Sequence, residues 1–217
     1  MKLYTVKTPK LVKYLFPKLV WEFSVTTKTI YLTFDDGPIP EVTPWVLQQL
    51  SKYDAKATFF CIGDNVKKHP EVYHEIVVQG HAIGNHTQHH VNAWKTSNEA
   101  YIADSIHCNE TLKNALKTPK KEATRLFRPP YGKITPHLTK KLRELGYKII
   151  MWDVLSGDFD TELSPEKCLE NVIQYTEAGS IVVFHDSVKA QEKIYYALPK
   201  VLAHFSDLGY TFECIPV

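Results

Sequence analysis

The stretch TFDDGP, residues 33–38, decides how the rest of this chain can fold. It follows residues 29–32, whose β-branched and aromatic side chains are typical of a buried strand. Glycine and proline then end the strand, because proline has no N–H to donate and glycine tolerates a sharp turn. Asp35 and Asp36 therefore stand where a strand opens into a loop, with side chains that leave it in different directions. This arrangement suits a division of labour in which one carboxylate holds a cation and the other accepts a proton.

Length and composition predict one globular domain of ordinary character. The 217 residues are 44% hydrophobic and 23% charged, which are typical values for such domains. The net charge is only +2, so no nucleic-acid partner is expected. The cysteines are widely spaced and form no C-x-x-C pair, which predicts free, mostly buried thiols: Cys61, Cys108, Cys168 and Cys214.

Residues 1–28 are predicted to form an N-terminal strap. Their apolar runs are too short for a signal peptide or a membrane span, because lysines interrupt them: Lys7, Lys10, Lys13 and Lys18. A basic amphipathic element of this kind can touch a membrane surface, and packing along the outside or bottom of its own domain is the favoured alternative. With no signal visible, a cytoplasmic protein without stable membrane insertion is expected.

From residue 29 to residue 217, strand patterns alternate with helix patterns and no linker marks a second domain. Strands are predicted at residues 29–32, 57–60, 82–85, 126–128, 147–152, 180–184 and 210–214. Helices are predicted at residues 41–53, 64–79, 96–117, 135–146, 164–179 and 191–208, with breaks at Pro70 and near Pro199. A capping box at Thr96 and Glu99 is predicted to open the third of these helices. Such alternation predicts a parallel sheet covered by helices.

The positions of the polar residues favour a barrel over an open sheet. These residues follow the carboxyl ends of different strands: Asp35, Asp36, His86, Arg128, Asp153, Asp158 and His185. A barrel brings every such end onto one rim, whereas an open sheet gathers its ligand at a single crevice. We therefore predict an α/β fold of the (β/α) barrel type with about seven strands, short of the usual eight units.

Residues 86–90, HTQHH, follow the third predicted strand and place three imidazoles within five residues. In a helical turn, His86 and His90 would face the same way, and so would His86 and His89, so the spacing alone leaves the second imidazole open. Two imidazoles and one carboxylate can hold Zn²⁺ or a similar ion with positions left for water. Together with the aspartate pair, this predicts a metal site.

Two further segments carry candidate catalytic groups. FRPPYG, residues 127–132, places Arg128 on a rigid loop, where its guanidinium group can bind a carboxylate. VFHD, residues 183–186, brings His185 out of an apolar strand onto the rim. Because a histidine pKa is easily moved near neutrality, His185 is well placed for acid–base work.

Five motifs, in order along the chain, resemble those of the polysaccharide deacetylase family. These carbohydrate esterases, of the family 4 type, are built around a nodulation-type chitooligosaccharide deacetylase domain. The family motifs T-F-D-D, H-[ST]-x-x-H, R-x-P-Y, D-x-x-D-W and L-x-H correspond to residues 33–36, 86–90, 128–131, 155–159 and 183–185. The first three match in full, and the resemblance covers nearly everything from residue 29 to residue 217.

The resemblance implies a distorted, incomplete (β/α) barrel that binds one divalent metal ion. The ligands it implies are Asp36, His86 and His90, which selects His90 over His89. Zn is the expected metal, with Co, Ni, Mn or Fe as alternatives. The implied reaction is hydrolysis of an N-acetyl or O-acetyl group on a carbohydrate, in which water activated at the metal attacks the acetyl carbonyl.

The resemblance also implies a role for each remaining site residue. Asp35 would be the base that deprotonates the attacking water, and Arg128 would orient Asp35. His185 would be the acid that protonates the leaving amine, with Asp158 supporting it. The backbone N–H of Tyr131 would help bind the oxyanion.

Two motifs depart from the family pattern. Leu155 replaces the first aspartate of the fourth motif and Phe159 replaces its tryptophan, while Val183 replaces the leucine of the fifth. The loss of the first aspartate leaves Asp158, or alternatively Asp153, to hold His185. The lost tryptophan changes the wall near His185 and so bears on substrate preference.

Three other functions compete with deacetylation. The same family pattern serves allantoinase-type amidohydrolases, which open small cyclic amides. A carbohydrate-binding pseudoenzyme is a further alternative, which the intact Asp35, metal ligands and His185 disfavour. A phosphoryl-transfer enzyme with a Mg²⁺ site would use mostly oxygen ligands rather than two histidines. An acetylated carbohydrate is therefore the expected partner, and neither the glycan nor the oligomeric state is predicted.

Overall fold

Seven parallel strands curl into a half-barrel at the centre of the computed structural model, which describes residues 4–116 and 124–216. The strands are β1 (Thr29–Asp35), β2 (Thr58–Cys61), β3 (Ala82–Asn85), β4 (Leu126–Phe127), β5 (Lys148–Ile149), β6 (Val154–Leu155) and β7 (Ile181–His185). They are ordered β5-β4-β3-β2-β1-β7-β6, and a short β8 (Thr211–Phe212) pairs with the start of β1. The predicted incomplete (β/α) barrel is confirmed.

Helices cover the outside of this sheet. They are α1 (Lys10–Leu15), α2 (Thr43–Ser51), α3 (Gly63–Lys68), α4 (Pro70–Val78), α5 (Asn98–Asn114), α6 (Pro136–Glu144), α7 (Pro165–Tyr175) and α8 (Gln191–Asp207). The cap of α5 is Ser97, whose hydroxyl accepts from the Ala100 N–H, so the prediction of a cap at Thr96 is wrong. The predicted end of that helix, Lys117, lies outside the described residues.

Two further element predictions are wrong. The strand predicted over residues 147–152 stops at Ile149, because Arg128 takes the carbonyls of Ile150 and Met151 and a ladder cannot continue through them. Helix α8 runs through Pro199 without a break. Its apolar side is buried on both sides of the proline, and this packing outweighs a local penalty of about 3 kcal/mol.

Alternation along β1 separates an apolar layer from a polar interior. All seven residues of β1 are buried. Phe34 lies toward the helices, where it stacks on Phe59 and Phe184 with ring centroids 5.0 Å and 6.2 Å away. Its neighbours Thr33 and Asp35 point the opposite way and meet Arg128. One strand therefore anchors the core and delivers a carboxylate to the inside of the half-barrel.

The N-terminal segment lies along the open side of the sheet. Single bridges join Lys7 to Val154, Val20 to Ile150, and Glu22 to Ser180. The segment is also fixed by charge, because the buried Asp153 accepts from Lys7 Nζ at 2.7 Å and from Lys13 Nζ at 2.6 Å. The assignment of residues 1–28 as a unit separate from residues 29–217 stays a prediction.

Two further expectations concern the cysteines and membrane-spanning helices. All four cysteines lie within the described residues and are free, as predicted. None of the helices in residues 4–116 and 124–216 has the length and apolar character needed to cross a membrane.

Candidate metal centre and active site

Adjacent strands bring Asp35 and His185 to the same level of the sheet. Asp35 is the last residue of β1, His185 is the last of β7, and the two are register partners. The Asp186 N–H, just beyond, donates to the Asp35 carbonyl at 3.1 Å. The parallel pairing of two strand ends therefore sets a carboxylate beside an imidazole at the rim.

Asp36, His86 and His90 converge next to this pair. One candidate ligand atom from each lies within 4.8 Å of the other two. Asp36 Oδ1 is 3.3 Å from His90 Nε2 and 3.7 Å from His86 Nε2. This oxygen is buried and has no hydrogen-bond partner within residues 4–116 and 124–216. An orphaned carboxylate oxygen facing two imidazole nitrogens is a donor set that fits Zn²⁺ or a similar cation.

Both imidazoles are held neutral and correctly oriented for binding a cation. His86 Nδ1 lies 2.8 Å from the Arg128 carbonyl and donates to it, which leaves Nε2 as the ligand atom. Burial, with the nearby His90 adding to it, lowers the pKa of His86 to about 3. Burial also lowers the pKa of His90, although the charges of Asp36 and Asp35 oppose the change. Neutral nitrogens are what a metal requires of its histidine ligands.

Residues 86–90 form a loop and not the helical turn assumed for them, so that assumption is wrong. Thr87 and His90 have φ values of 65° and 54°, which lie in the left-handed region. The Thr87 hydroxyl accepts from the Val91 N–H at 3.2 Å and closes the loop. His86 and His90 therefore meet through backbone reversals, with ring centroids 5.1 Å apart. His89 turns outward, where its Nδ1 contacts Asp104.

The loop that carries Asp36 is also strained and firmly held. Asp36 has a φ of 81°, and its carbonyl accepts from Asn65 Nδ2 at 2.7 Å. Asp186 accepts from the Gly37 N–H at 3.0 Å and from the Thr43 hydroxyl at 2.5 Å. A Cβ added at Gly37 would lie 2.0 Å from Asp186 Oδ2, so this position requires glycine. Left-handed backbone at non-glycine residues clusters at functional sites, and this site contains several such residues.

Arg128 is buried inside the half-barrel and binds Asp35. Its Nη1 donates to Asp35 Oδ1 and to the Thr33 hydroxyl, each at 2.7 Å. Nη2 donates to the Met151 carbonyl at 2.9 Å, and the guanidinium lies 4.1 Å from the Phe60 ring centroid. Burial lowers the pKa of Arg128, and the charge of Asp35 opposes that effect. The pair therefore fixes the orientation of the Asp35 carboxylate.

His185 is paired with Asp158. Its Nδ1 donates to Asp158 Oδ1 at 2.7 Å, and its backbone N–H donates to Oδ2 of the same carboxylate at 2.6 Å. Burial alone would lower the pKa of His185, but Asp158, then Asp36 and Asp35, raise it to about 10. The imidazolium is therefore the favoured form near neutral pH, and Nε2 remains available to donate a proton.

The other aspartate considered as a partner for His185 lies elsewhere. Asp153 is bound by Lys7, Lys13 and the Ser180 hydroxyl, the last at 2.6 Å. Burial alone would raise the pKa of Asp153, but the hydrogen bonds from Lys13, Lys7 and Ser180, with the charge of Lys13, lower it. Asp153 therefore anchors the N-terminal segment.

The altered fourth motif forms an aromatic wall beside His185. Phe159 meets the His185 ring edge-on, with centroids 5.3 Å apart. Tyr4 packs against Phe159 at 5.1 Å and donates its hydroxyl to Asp160 at 2.7 Å. Leu155 is buried in β6, and its backbone N–H bonds to Val6. The N-terminal segment thus supports the loop that carries Asp158.

Tyr131 lies at the open side of the site. Its hydroxyl is 3.1 Å from His90 Nδ1, and its side chain is 59% exposed. Its φ of 61° is another left-handed value. The role expected for its backbone N–H stays a prediction.

Sequence reasoning missed several residues that shape the site. Asp186 follows His185 in the VFHD segment, but nothing in the sequence predicts that it binds the loop that carries Asp36. Burial raises its pKa to about 8, with Asp36 adding to the rise and the bonds from Thr43 and Gly37 opposing it. Asn65 and Thr33 lie in ordinary helix and strand patterns, so only the folded structure identifies their contacts.

Comparison with known proteins identifies the family. A model of the family described as polysaccharide deacetylase matches residues 24–150. The chain belongs to the polysaccharide deacetylase family. A peptidoglycan-N-acetylglucosamine deacetylase of Bacillus cereus is 34% identical over 198 residues, covering 91% of each chain. A chitooligosaccharide deacetylase of Azorhizobium caulinodans is 32% identical over 167 residues, covering 76% of each.

Solved structures of this polysaccharide deacetylase family share the fold. The crystal structure of the Bc1960 peptidoglycan N-acetylglucosamine deacetylase matches with a TM-score of 0.87 and 29% identity, covering 96% of this chain and 95% of that one. The wild-type BA3943 protein of Bacillus anthracis, described as a pseudoenzyme, matches with a TM-score of 0.78 and 26% identity, covering 90% of this chain and 66% of that one. The fold therefore occurs in both active and inactive proteins.

Proposed function

We propose that this chain is a metal-dependent hydrolase that removes acetyl groups, primarily N-acetyl groups, from a carbohydrate. The observation that carries the proposal is Asp36 Oδ1, a buried oxygen without a hydrogen-bond partner in residues 4–116 and 124–216, facing His90 Nε2 and His86 Nε2. Asp35 and His185 lie at the ends of neighbouring strands beside it. This combination supports a cation site between a base and an acid.

Asp36, His86 and His90 would hold the cation, with Zn as the expected ion. A bound divalent cation supplies a Lewis acid that polarises the acetyl carbonyl and lowers the pKa of water. The chain supplies the orientation, because the Arg128 carbonyl fixes the His86 ring and Asp186 fixes the loop next to Asp36. The neutral state of both imidazoles supports binding near neutral pH.

Asp35 and His185 would divide the proton transfers between them. Asp35 takes the proton from the attacking water, and the hydrogen bond from Arg128 fixes the direction of Asp35. His185 gives a proton from Nε2 to the departing amine nitrogen, with Nδ1 held by Asp158. The C–N bond breaks, and the products are acetate and a free amine. The Tyr131 N–H would stabilise the negative oxygen that forms on the acetyl carbon.

N-acetylglucosamine-containing glycans are the proposed substrates. The relatives reported above are named for peptidoglycan N-acetylglucosamine and for chitooligosaccharides. Both substrates present an acetamido group on a pyranose ring, which is the group that this centre would hydrolyse. Phe159 would form the wall of the substrate site beside His185.

An acetate-release screen tests the proposal. The purified protein is loaded with Zn²⁺ and incubated with chitooligosaccharides, peptidoglycan, acetylated xylan and allantoin, with Asp35→Asn as the matched control. We expect acetate from at least one N-acetylated glycan, and less from the control by about 10²-fold or more. Ring opening of allantoin without acetate release would replace the proposal with the amidohydrolase alternative. No turnover by the Zn-loaded protein would favour a carbohydrate-binding pseudoenzyme.

A further inference from the structure

A dense patch of exposed apolar side chains lies on α1 and the residue after it. Four large side chains within six consecutive residues are at least half exposed: Leu11 at 67%, Tyr14 at 80%, Leu15 at 59% and Phe16 at 50%. We call these four residues the α1 patch. The segment is amphipathic, but the structure turns this apolar side away from its own domain. Exposed patches that combine several large apolar residues mark interaction sites.

An apolar groove of about 430 Å³ adjoins the α1 patch. Leu15 and Phe16 form one part of its lining, and Gly132 forms another. Gly132 follows Tyr131, whose hydroxyl contacts the candidate ligand His90, so the groove lies next to the candidate metal centre. Other lining residues are also apolar or aromatic: Leu19, Trp21, Trp94, Ile134 and Met151.

Positive charge surrounds the α1 patch and the groove. Lys18 and Lys140 line the groove, and Lys133 lies 4.8 Å from the ring centroid of Trp94 in that lining. Lys7 and Lys13 bind Asp153 and do not add to this surface charge. The nearest acids along the chain are already paired, Glu22 with Lys13 and Glu144 with Lys140 and Lys141. Lys10 and Lys18 stand exposed on either side of the α1 patch.

We propose that the α1 patch and its lysines dock the protein on an anionic membrane surface. Leucine and aromatic side chains beside lysines are the composition of segments that lie in the membrane interface without crossing it. Each lysine near an anionic surface adds to the attraction, whereas a neutral glycan gains nothing from it. A second copy of the chain would bring two lysine-rich surfaces together, which like-charge repulsion opposes. Docking here would hold the candidate metal centre close to the membrane.

Vesicle co-sedimentation of the full chain tests the docking surface without any need for catalysis. The vesicles consist of phosphatidylcholine alone, or of phosphatidylcholine mixed with phosphatidylglycerol, at low and at high salt. Leu15→Glu removes an apolar contact and Lys18→Glu reverses one charge. Leu208→Glu is the matched apolar control, because Leu208 is 49% exposed at the end of α8. Lys52→Glu is the charge control, because Lys52 is exposed at the end of α2. Melting temperatures establish that each variant is folded.

The expected result is binding that requires phosphatidylglycerol and weakens at high salt. Lys18→Glu should weaken that binding by about fivefold or more, and Leu15→Glu by at least as much, while both controls bind as wild type does. Equal sedimentation with neutral vesicles, or equal losses in the control variants, would overturn the proposal. So would a wild-type dimer in sedimentation velocity that Leu15→Glu converts to monomer, because a second copy would then cover the α1 patch.

Discussion

Arg128 Nη1 donates to Asp35 Oδ1 at 2.7 Å in the interior of the half-barrel, where the arginine is fully buried and the aspartate nearly so. A buried charge destabilises the folded protein unless an opposite charge is paired with it. The same guanidinium also binds Thr33 and the carbonyls of residues 150 and 151. Arg128 therefore connects Asp35, the proposed base, to Thr33 of β1 and to the chain that follows β5.

Replacing Arg128 with methionine should destabilise the protein strongly, because Asp35 would keep a buried charge without a partner. We expect the free energy of unfolding to fall by about 3–5 kcal/mol. Urea denaturation measures this change, with Arg143→Met as the control at an exposed arginine. A loss no larger than that of the control would mean that the pair does not hold the interior together.

Alanine at His86 or at His90 should abolish stable metal binding, whereas alanine at His89 should not. The first two direct Nε2 toward Asp36 Oδ1, while His89 turns to Asp104. Elemental analysis after dialysis against metal-free buffer compares the three variants with wild type. A stoichiometric ion retained by His90→Ala would remove His90 from the ligand set.

Asparagine at Asp35 and asparagine at Asp36 should have different effects on metal binding and activity. Asp36→Asn should lose the ion, since Asp36 faces both imidazoles. Asp35→Asn should keep the ion and lose activity by about 10²–10⁴-fold, the usual loss when a general base is removed. Metal content and acetate release are measured on the same preparations. Near-normal turnover by Asp35→Asn would assign the base to another group.

Asp158→Asn should move the alkaline limb of the pH–rate profile to lower pH. Asp158 is the leading cause that raises the pKa of His185 to about 10, so removing its charge lets the imidazolium lose its proton earlier as pH rises. The acid form then disappears at lower pH, which is recorded as kcat/KM against pH at saturating Zn²⁺. Asp153→Asn is the control, because Asp153 binds Lys7 and Lys13. If the alkaline limb moved in Asp153→Asn but stayed in place in Asp158→Asn, the pairing of His185 with Asp158 would be contradicted.

Much of the fold was predictable because its pattern is local. Alternating strand and helix periods, with polar residues at strand ends, predict a parallel barrel without knowledge of contacts. The errors arise where distant contacts override local preference. Pro199 stays helical because α8 packs on both sides of it. The strand after residue 147 ends because Arg128, which lies 22 and 23 residues earlier than Ile150 and Met151, takes their carbonyls.

The residues of the candidate site were predictable from the sequence, but the backbone conformation and the contacts that bring them together were not. The spacing of His86 and His90 suggested a helical turn, whereas left-handed backbone at Thr87 and His90 brings the rings together. Asp186 and Asn65 hold the Asp36 loop through contacts distant in sequence, for which no local pattern exists. The choice between Asp153 and Asp158 beside His185 likewise depended on where the N-terminal lysines lie.

Activity measured during stepwise metal addition tests directly whether hydrolysis depends on an ion held by Asp36, His86 and His90. The metal-free protein is titrated with Zn²⁺, and acetate release from an N-acetylated oligosaccharide is recorded at each step for wild type and His90→Ala. We expect activity to rise in proportion to added ion, to level off at one ion per chain, and to stay at background in His90→Ala. Full acetate release by the metal-free protein in the presence of chelator, or by His90→Ala, would contradict this dependence.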